Sequence, residues 1–345
     1  MKKAVWSGGC RAVSWQRVFP MPFSPLKPWP VPFINILHPA PESKKNMELS
    51  QNAFDQLRTW IHEACGIYLH TGKEYLVQQR LSAMVKEEGC RDFPSFFQKL
   101  RNSRDPLLKN RVIDAMTTNE TYFFRDQHPF DTFFNSLLPA MALKKKAGVK
   151  SKFRIWSAGS STGQEAYSLA MLIHEFCSSA TQPLSSHSFE IIGTDISAPV
   201  LDKARAGIYS DLEISRGLSP ERRNKYFSKI SENKWQLSDS IRNLVRFQTL
   251  NFIDSFPNMG LFDLILCRNV LIYFDEATKR RIFNHFASIL DSDGHLILGG
   301  SENIYGISTA FKSKKEGMTL IYEKINGREP IAVQSSAVAR SFFST

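Results

Sequence analysis

Long apolar runs are missing from this sequence, and nothing in it approaches the roughly 18 consecutive apolar residues of a membrane-spanning helix. Lys2 and Lys3, with Ser7-Gly8-Gly9-Cys10, have the outline of an export or lipoprotein leader, but the apolar part between them, Ala4 to Trp6, is far too short. Cysteine is scarce. The five present (Cys10, Cys65, Cys90, Cys177, Cys267) are odd in number, scattered and free of any C-x-x-C pair. That argues against a disulfide frame or a zinc site and for reduced thiols in a cytoplasmic protein. Neither G-x-G-x-x-G nor a P-loop occurs, which weakens the case for a dinucleotide or a nucleoside triphosphate.

Charge is present in excess but unevenly. The formal net charge is +11, yet residues 1 to 46 hold seven of the lysines and arginines against Glu42 alone. The remainder carries a mild excess, so no nucleic-acid-binding surface is expected. The same leader holds eight of the seventeen prolines. Such a density forbids helix and starves a sheet of donors, so residues 1–46 read as extended or disordered. Met47, at the head of a well-patterned domain, is a candidate natural start, and a proline-rich ligand for a partner is the sharper alternative.

From Met47 the pattern is helical. Ser50 is placed to cap a helix carrying Phe54, Leu57, Trp60 and Ile61, with Gly66 as its end. Glu74 to Glu88 (Leu76, Leu81, Met84 and Val85 inward), Phe93 to Leu100 and Leu107 to Met116 supply three more. Residues 47–122 thus form a small all-α domain. Lys99, Arg101, Arg104, Lys109 and Arg111 cluster on it, as a solvated face or a docking face for an acidic protein. Residues 123–150 form a linker with a helix through Phe130, Phe133, Phe134 and Leu137 that Pro139 stops.

Residues 151–326 alternate strand and helix. Phe153–Trp156, Phe189–Thr194, Val245–Gln248, Phe262–Cys267 and Gly294–Leu298 read as strands, and Met318–Glu323 as a last one. Pro220–Ile230 reads as a helix within this domain, and 228–245 as a small excursion containing a hairpin. The tail from Gly327 is polar and loose. The fold class is therefore α/β, a doubly wound and mainly parallel sheet preceded by the all-α domain. In such a sheet a ligand binds at the carboxyl ends of the strands. The candidates there are the small-residue loop 158–163, Asp195, Asn251 and Cys267-Arg268-Asn269. Asp195 can accept both hydroxyl protons of a ribose or cap the next helix. Asn251 can meet an adenine edge or turn the chain. Arg268, charged at an apolar strand end, demands a partner.

Three segments, Thr117–Arg125 (TTNETYFFR), Trp156–Ser168 (WSAGSSTGQEAYS) and Cys267–Phe274 (CRNVLIYF), resemble the CheR-type chemotaxis receptor methyltransferases, in register and in the family's order from Met47 to Glu323. The resemblance implies a class I S-adenosylmethionine methyltransferase sheet with its final strand antiparallel. It implies methyl transfer from S-adenosylmethionine to glutamate carboxylates in the signalling helices of chemoreceptors, giving glutamate methyl esters and S-adenosylhomocysteine. No metal is implied, and a cytoplasmic monomer that neither enters the membrane nor binds nucleic acid is expected. Cofactor contacts carry over to Asn119, Thr121, Arg125, Glu165, Asp195, Asn251, Phe252, Cys267 and Arg268. Glu165 matches the acid that meets the methionine amino group. Arg125 and Tyr273 match residues that orient the substrate carboxylate.

Two departures stand out. Gln164-Glu165-Ala166 replaces two acids and a proline, with the cofactor acid kept. The excursion is short and lacks glycine between Phe227 and Val245, so no dependence on a receptor's C-terminal pentapeptide is expected. The second helix also offers few basic residues to a receptor, Arg80 and Lys86. The competing readings are a catalytically silent S-adenosylmethionine-binding signalling module and a nicotinamide-dependent oxidoreductase. The second is disfavoured by the missing glycine motif and by a gap to Asp195 longer than the roughly 20 residues of a dinucleotide fold.

Overall fold

The computed structural model describes residues 48–178, 183–254, 256 and 259–325. The proline-rich leader, Met47 and the tail from Gly327 lie outside the described residues. Among the described residues no helix is long and apolar enough to cross a membrane.

Four helices open the chain: α1 (Gln51–Cys65), α2 (Glu74–Glu87), α3 (Phe93–Asn102) and α4 (Pro106–Met116). Their starts are written in the sequence. Ser50 accepts the Ala53 N–H, Asp92 and Ser95 form a reciprocal capping box, and Asp105 caps α4 ahead of Pro106. Phe54, Leu57, Leu81, Phe93, Phe96 and Val112 meet in one core, where each large apolar side chain contributes about 1.5–3 kcal/mol by leaving water. On α2, Val77, Leu81 and Val85 are fully buried, whereas Leu76, expected inward, is half-buried. The basic cluster is partly neutralised, because Glu88 pairs with Lys99 and Arg111, and Glu87 with Arg111.

The linking helix does not stop at Pro139. It runs as α5 (His128–Thr132), a π-helical turn (Phe133–Leu137) and α6 (Leu138–Lys146). Proline lacks the N–H of a regular α-helical ladder. The wider turn, in which the Leu138 N–H reaches back to the Phe133 carbonyl, lets the helix continue through it.

Then follow β1 (Phe153–Ala158), α7 (Gln164–Cys177), β2 (Phe189–Asp195) and α8 (Ala198–Ala206). The excursion is richer than a hairpin: β3 (Ile208–Tyr209), α9 (Asp211–Ser215), α10 (Pro220–Tyr226), β4 (Phe227–Ser231), β5 (Lys234–Leu237) and α11 (Asp239–Arg242). The helix expected over Pro220–Ile230 ends at Tyr226, where the chain turns into β4 and pairs with β5 in a separate sheet ordered β3-β5-β4. The chain returns through β6 (Val245–Thr249), β7 (Phe262–Cys267), α12 (Glu276–Ile289), β8 (Leu290–Leu298), β9 (Phe311–Glu316) and β10 (Thr319–Lys324).

The main sheet has the order β6-β2-β1-β7-β8-β10-β9. Strands β6, β2, β1, β7 and β8 run parallel, β10 is antiparallel to β8, and β9 to β10. All six residues of β7 are buried, as a strand covered on both faces requires. Chain order reverses between β1 and β7, so the crevice for a ligand opens above their carboxyl ends. At the opposite ends, the carboxylates of Asp263, Asp291 and Asp293 lie together. Lys150 joins the first two and Lys144 the third, so the cluster is an ion-pair network pinning the strand starts.

Candidate active site

The loop after β1 folds back onto β2. Gly159 and Ser160 both donate N–H bonds to the Thr194 carbonyl (2.9 and 2.7 Å), and the Ser160 hydroxyl donates to the Ser157 carbonyl. Gly159 has φ +81°, and a Cβ there would stand 2.4 Å from Val270 Cγ2. Only glycine lets the two loops touch. The Ser161 N–H then reaches Asp195 Oδ2 at 2.9 Å, while the Ser197 N–H holds Oδ1 at 3.0 Å. Asp195 is fixed from both sides and 9% exposed. Burial pushes its carboxyl up from the ordinary value, against those backbone donors, and Asp114 from α4 adds a like charge. Burial raises Asp114 as well, against a hydrogen bond with the Ser197 side chain.

On the β7 side the centre is Arg268, whose side chain is 2% exposed. One guanidinium nitrogen donates to Glu165 Oε2 at 3.0 Å, and the other to the Arg125 carbonyl and Asp126 Oδ2, both at 2.7 Å. This is the partner that a buried charge requires. Glu165 lies in the first turn of α7, where the helix dipole favours an acid, and its second oxygen accepts the Ser157 hydroxyl at 2.8 Å. Arg268 thereby ties the sheet, the start of α7 and the linker together. The linker is bent to receive it, with left-handed backbone at Phe124, Asp126 and Gln127.

Between these walls and the helical domain lies a cleft enclosing about 950 Å³, open solvent at its mouth included. Asn119, Thr121, Arg125, Glu165, Asp195, Asn251, Phe252, Arg268 and Tyr273 all line it. Cys267 does not. Its side chain is fully buried at the end of β7, where burial drives its thiol far up. Asn251 is half committed elsewhere, since its amide donates to the Ala64 carbonyl at the end of α1 (2.9 Å). Arg125 donates to the Glu120 carbonyl (2.9 Å) and lies 5.6 Å from the Tyr122 ring centroid.

Arg80 has a different post from the receptor-facing one considered for it. Its guanidinium donates to the carbonyls of Met116 and Thr117 (2.7 and 2.9 Å) and to the Thr118 hydroxyl (2.9 Å), closing α4 and aiming the segment that leads to Asn119. The helical domain is also stitched to the loop around Tyr273. Ile67 bridges Phe274, the Tyr68 N–H meets the Tyr273 carbonyl at 2.8 Å, and His62 meets Asp275 at 2.9 Å. Asn269, a strand-end candidate from the sequence, also lines the cleft, as do Cys65 and Ile67, which carry no motif signal visible in the sequence.

The family model described as the CheR methyltransferase SAM-binding domain matches residues 119–319, and that of the CheR all-alpha domain matches residues 52–117. The chain belongs to the CheR methyltransferase family. A chemotaxis protein methyltransferase of Vibrio parahaemolyticus is 38% identical over 275 residues, covering 80% of this chain and 98% of that protein. Chemotaxis protein methyltransferase 1 of Pseudomonas aeruginosa is 37% identical over 276 residues (80% and 99%), and the Borreliella burgdorferi relative 36% over 262 residues (76% and 91%). As a CheR methyltransferase the chain is an S-adenosylmethionine-dependent enzyme, and its cleft fits that cofactor. Asp195 presents a buried acid to the cleft. Buried without partners among the described residues are Arg268 Nε and Asn269 Oδ1, a donor and an acceptor suited to a ligand that carries both charges of an amino acid.

Proposed function

We propose that this CheR methyltransferase methylates glutamate side-chain carboxylates in the signalling helices of chemoreceptors, acting as a cytoplasmic monomer that requires no metal. The observation that carries the reading is Arg125 and Tyr273 on the same cleft as Asp195 and Glu165, in a chain whose relatives are named for chemotaxis. When bound, S-adenosylmethionine supplies a methyl group activated by its sulfonium. A glutamate carboxylate is already an anionic nucleophile, so no side chain has to remove a proton. What remains for the protein is alignment and the exclusion of water. Asp195 holds the ribose end, Asn119 and Thr121 close over the cofactor from the segment that follows α4, and Phe252 walls the adenine side. Glu165 and the neighbouring Arg268 face the methionine end.

Arg125 retains donors beyond the one spent on Glu120, and these fix the direction of an incoming carboxylate. The Tyr273 hydroxyl has no hydrogen-bond partner among the described residues and donates one more bond. Incubation with methyl-labelled S-adenosylmethionine and receptor-bearing membranes should place base-labile label on the receptor, and label on no receptor would overturn the reading. Arg125→Ala should lower kcat at saturating cofactor by about 100-fold through misplacement of the carboxylate, and Tyr273→Phe by about 10-fold through loss of one hydrogen bond. Full turnover in either variant removes that assignment.

The excursion supports independence from a receptor tail. Strands β4 and β5 are joined across Glu232 and Asn233 alone, leaving little loop to enclose a peptide. Calorimetry with a receptor C-terminal pentapeptide should show no heat of binding, and saturable micromolar binding would contradict this.

A further inference from the structure

The loop that leads from β7 to Tyr273 is held by one side chain from outside it. Glu302, three residues past Gly299, accepts five backbone N–H groups. Its Oε1 takes those of Val270 (2.9 Å), Leu271 (2.7 Å) and Ile272 (3.3 Å), and its Oε2 those of Asn269 (2.8 Å) and Gly299 (2.8 Å). Four of these are consecutive donors at the start of the short 3₁₀ turn Leu271–Tyr273, a turn whose first N–H groups have no partner of their own. Converging N–H groups of this kind form a concave anion seat. Gly299 makes room for it: a Cβ there would stand 2.6 Å from Glu302 Oε2 and 2.8 Å from the Asn269 N.

The loop needs such an anchor. Asn269 sits at φ +60°, a left-handed conformation that asparagine tolerates better than other side chains and that the loop must still hold in place. Val270 presses against Gly159 in the cofactor loop, and the turn ends in Tyr273. Glu302 itself is not part of the cleft lining. We propose that Glu302 is a positioning residue for methyl transfer, its carboxylate setting the backbone from which Asn269 and Tyr273 reach the cleft. The proposal rests on the glutamate methyltransferase reading above for its turnover measurement only.

The test uses the full chain with Glu302→Ala, Glu302→Gln and Glu302→Asp. Glu302→Ala should lower kcat toward receptor by about 100-fold, the cost of a small misplacement of a reacting group. Affinity for S-adenosylhomocysteine by calorimetry should fall less than turnover does, because Asp195 and Glu165 lie on other loops and only the Asn269 contact is disturbed. Glu302→Ala leaves a half-exposed seat of five donors, so added formate should restore turnover in this variant and in neither Arg125→Ala nor the wild type. Glu302→Gln, which turns an amide group toward the donors, should be inactive and unrescued, and Glu302→Asp should retain part of the rate. Hydrogen exchange at amides 269–272, which needs no turnover, should accelerate in Glu302→Ala and slow again with formate. Unchanged exchange there, or loss of cofactor affinity and turnover in equal measure without rescue, would overturn the proposal. A wild type that methylates no receptor would sink the glutamate reading instead, and the exchange result would still judge the anchor.

Discussion

Arg268→Met should abolish cofactor binding and weaken the fold together. With a side chain 2% exposed, Arg268 compensates Glu165, Asp126 and the Arg125 carbonyl at one point. Methionine fills similar space and leaves Glu165, itself 13% exposed on its side chain, with a buried charge and one hydroxyl partner. Removing one member of a buried pair costs about 3–5 kcal/mol. Because Asp126 is more exposed, a loss toward the lower end of that range is expected in urea unfolding. Affinity for S-adenosylhomocysteine should fall at least about 100-fold, since the segment from Asn119 through Thr121 to Arg125 loses its tie to the sheet. Arg268→Lys should recover some stability and little affinity, because an ammonium cannot fork to three partners in fixed directions. Wild-type affinity in Arg268→Met would refute the role assigned here.

Asp195→Asn should be the second severe variant. Two ribose hydroxyls donating to a carboxylate are worth about 1.5–3 kcal/mol each. Exchanging one oxygen for an amide group that also faces the Ser161 or Ser197 N–H removes one of these acceptors and should therefore weaken binding by roughly 10-fold to 150-fold. The wild type should also show a pH effect of definite sign. Burial raises the Asp195 carboxyl, and only its ionised form accepts from both hydroxyls. Affinity should thus decline as pH falls through the raised value, above the usual carboxylate range. For the unliganded fold the sign is opposite to that of a paired carboxylate. The ionised buried acid costs stability at all pH above its folded value, and the cost is relieved as pH falls toward the unfolded value. Asp114 acts in the same direction. Asp195→Asn should flatten both profiles, read by calorimetry and by thermal unfolding across acid pH. An unchanged acid decline in cofactor affinity would show that another group sets it.

Much of this was legible before any coordinates. The doubly wound sheet could be read from FDLILC, whose six apolar or shielded residues announce a strand covered on both faces. Asp195 and Arg268 could be placed because strand ends in such a sheet converge on one crevice, and Glu165 because its segment resembles the family's motif. What escaped did so for physical reasons. Strand β9 (FKSKKE) is an edge with four of its six residues exposed, so it lacks the alternation that marks a half-buried strand. Pro139 reads as a stop because sequence does not reveal that a π turn will absorb it. Glu302 and Arg80 act on backbone groups far away in sequence, 31 and 36 residues for the Leu271 and Met116 bonds, and a charged side chain in a loop or on a helix carries no mark of that use. Cys267 illustrates the converse: a motif position beside two cleft residues that itself turns into the core.

The lysine and aspartate network at the strand starts has a consequence for how this enzyme can change. Lys150 spans Asp263 and Asp291, and Lys144 holds Asp293, all at the strand starts, while the cleft opens at the opposite, carboxyl ends. Cohesion and chemistry therefore occupy opposite poles of one scaffold. The loops of the upper pole can drift toward new receptors while the lower pole keeps the strands in register, and robustness added below leaves the methyl-transfer geometry above it untouched.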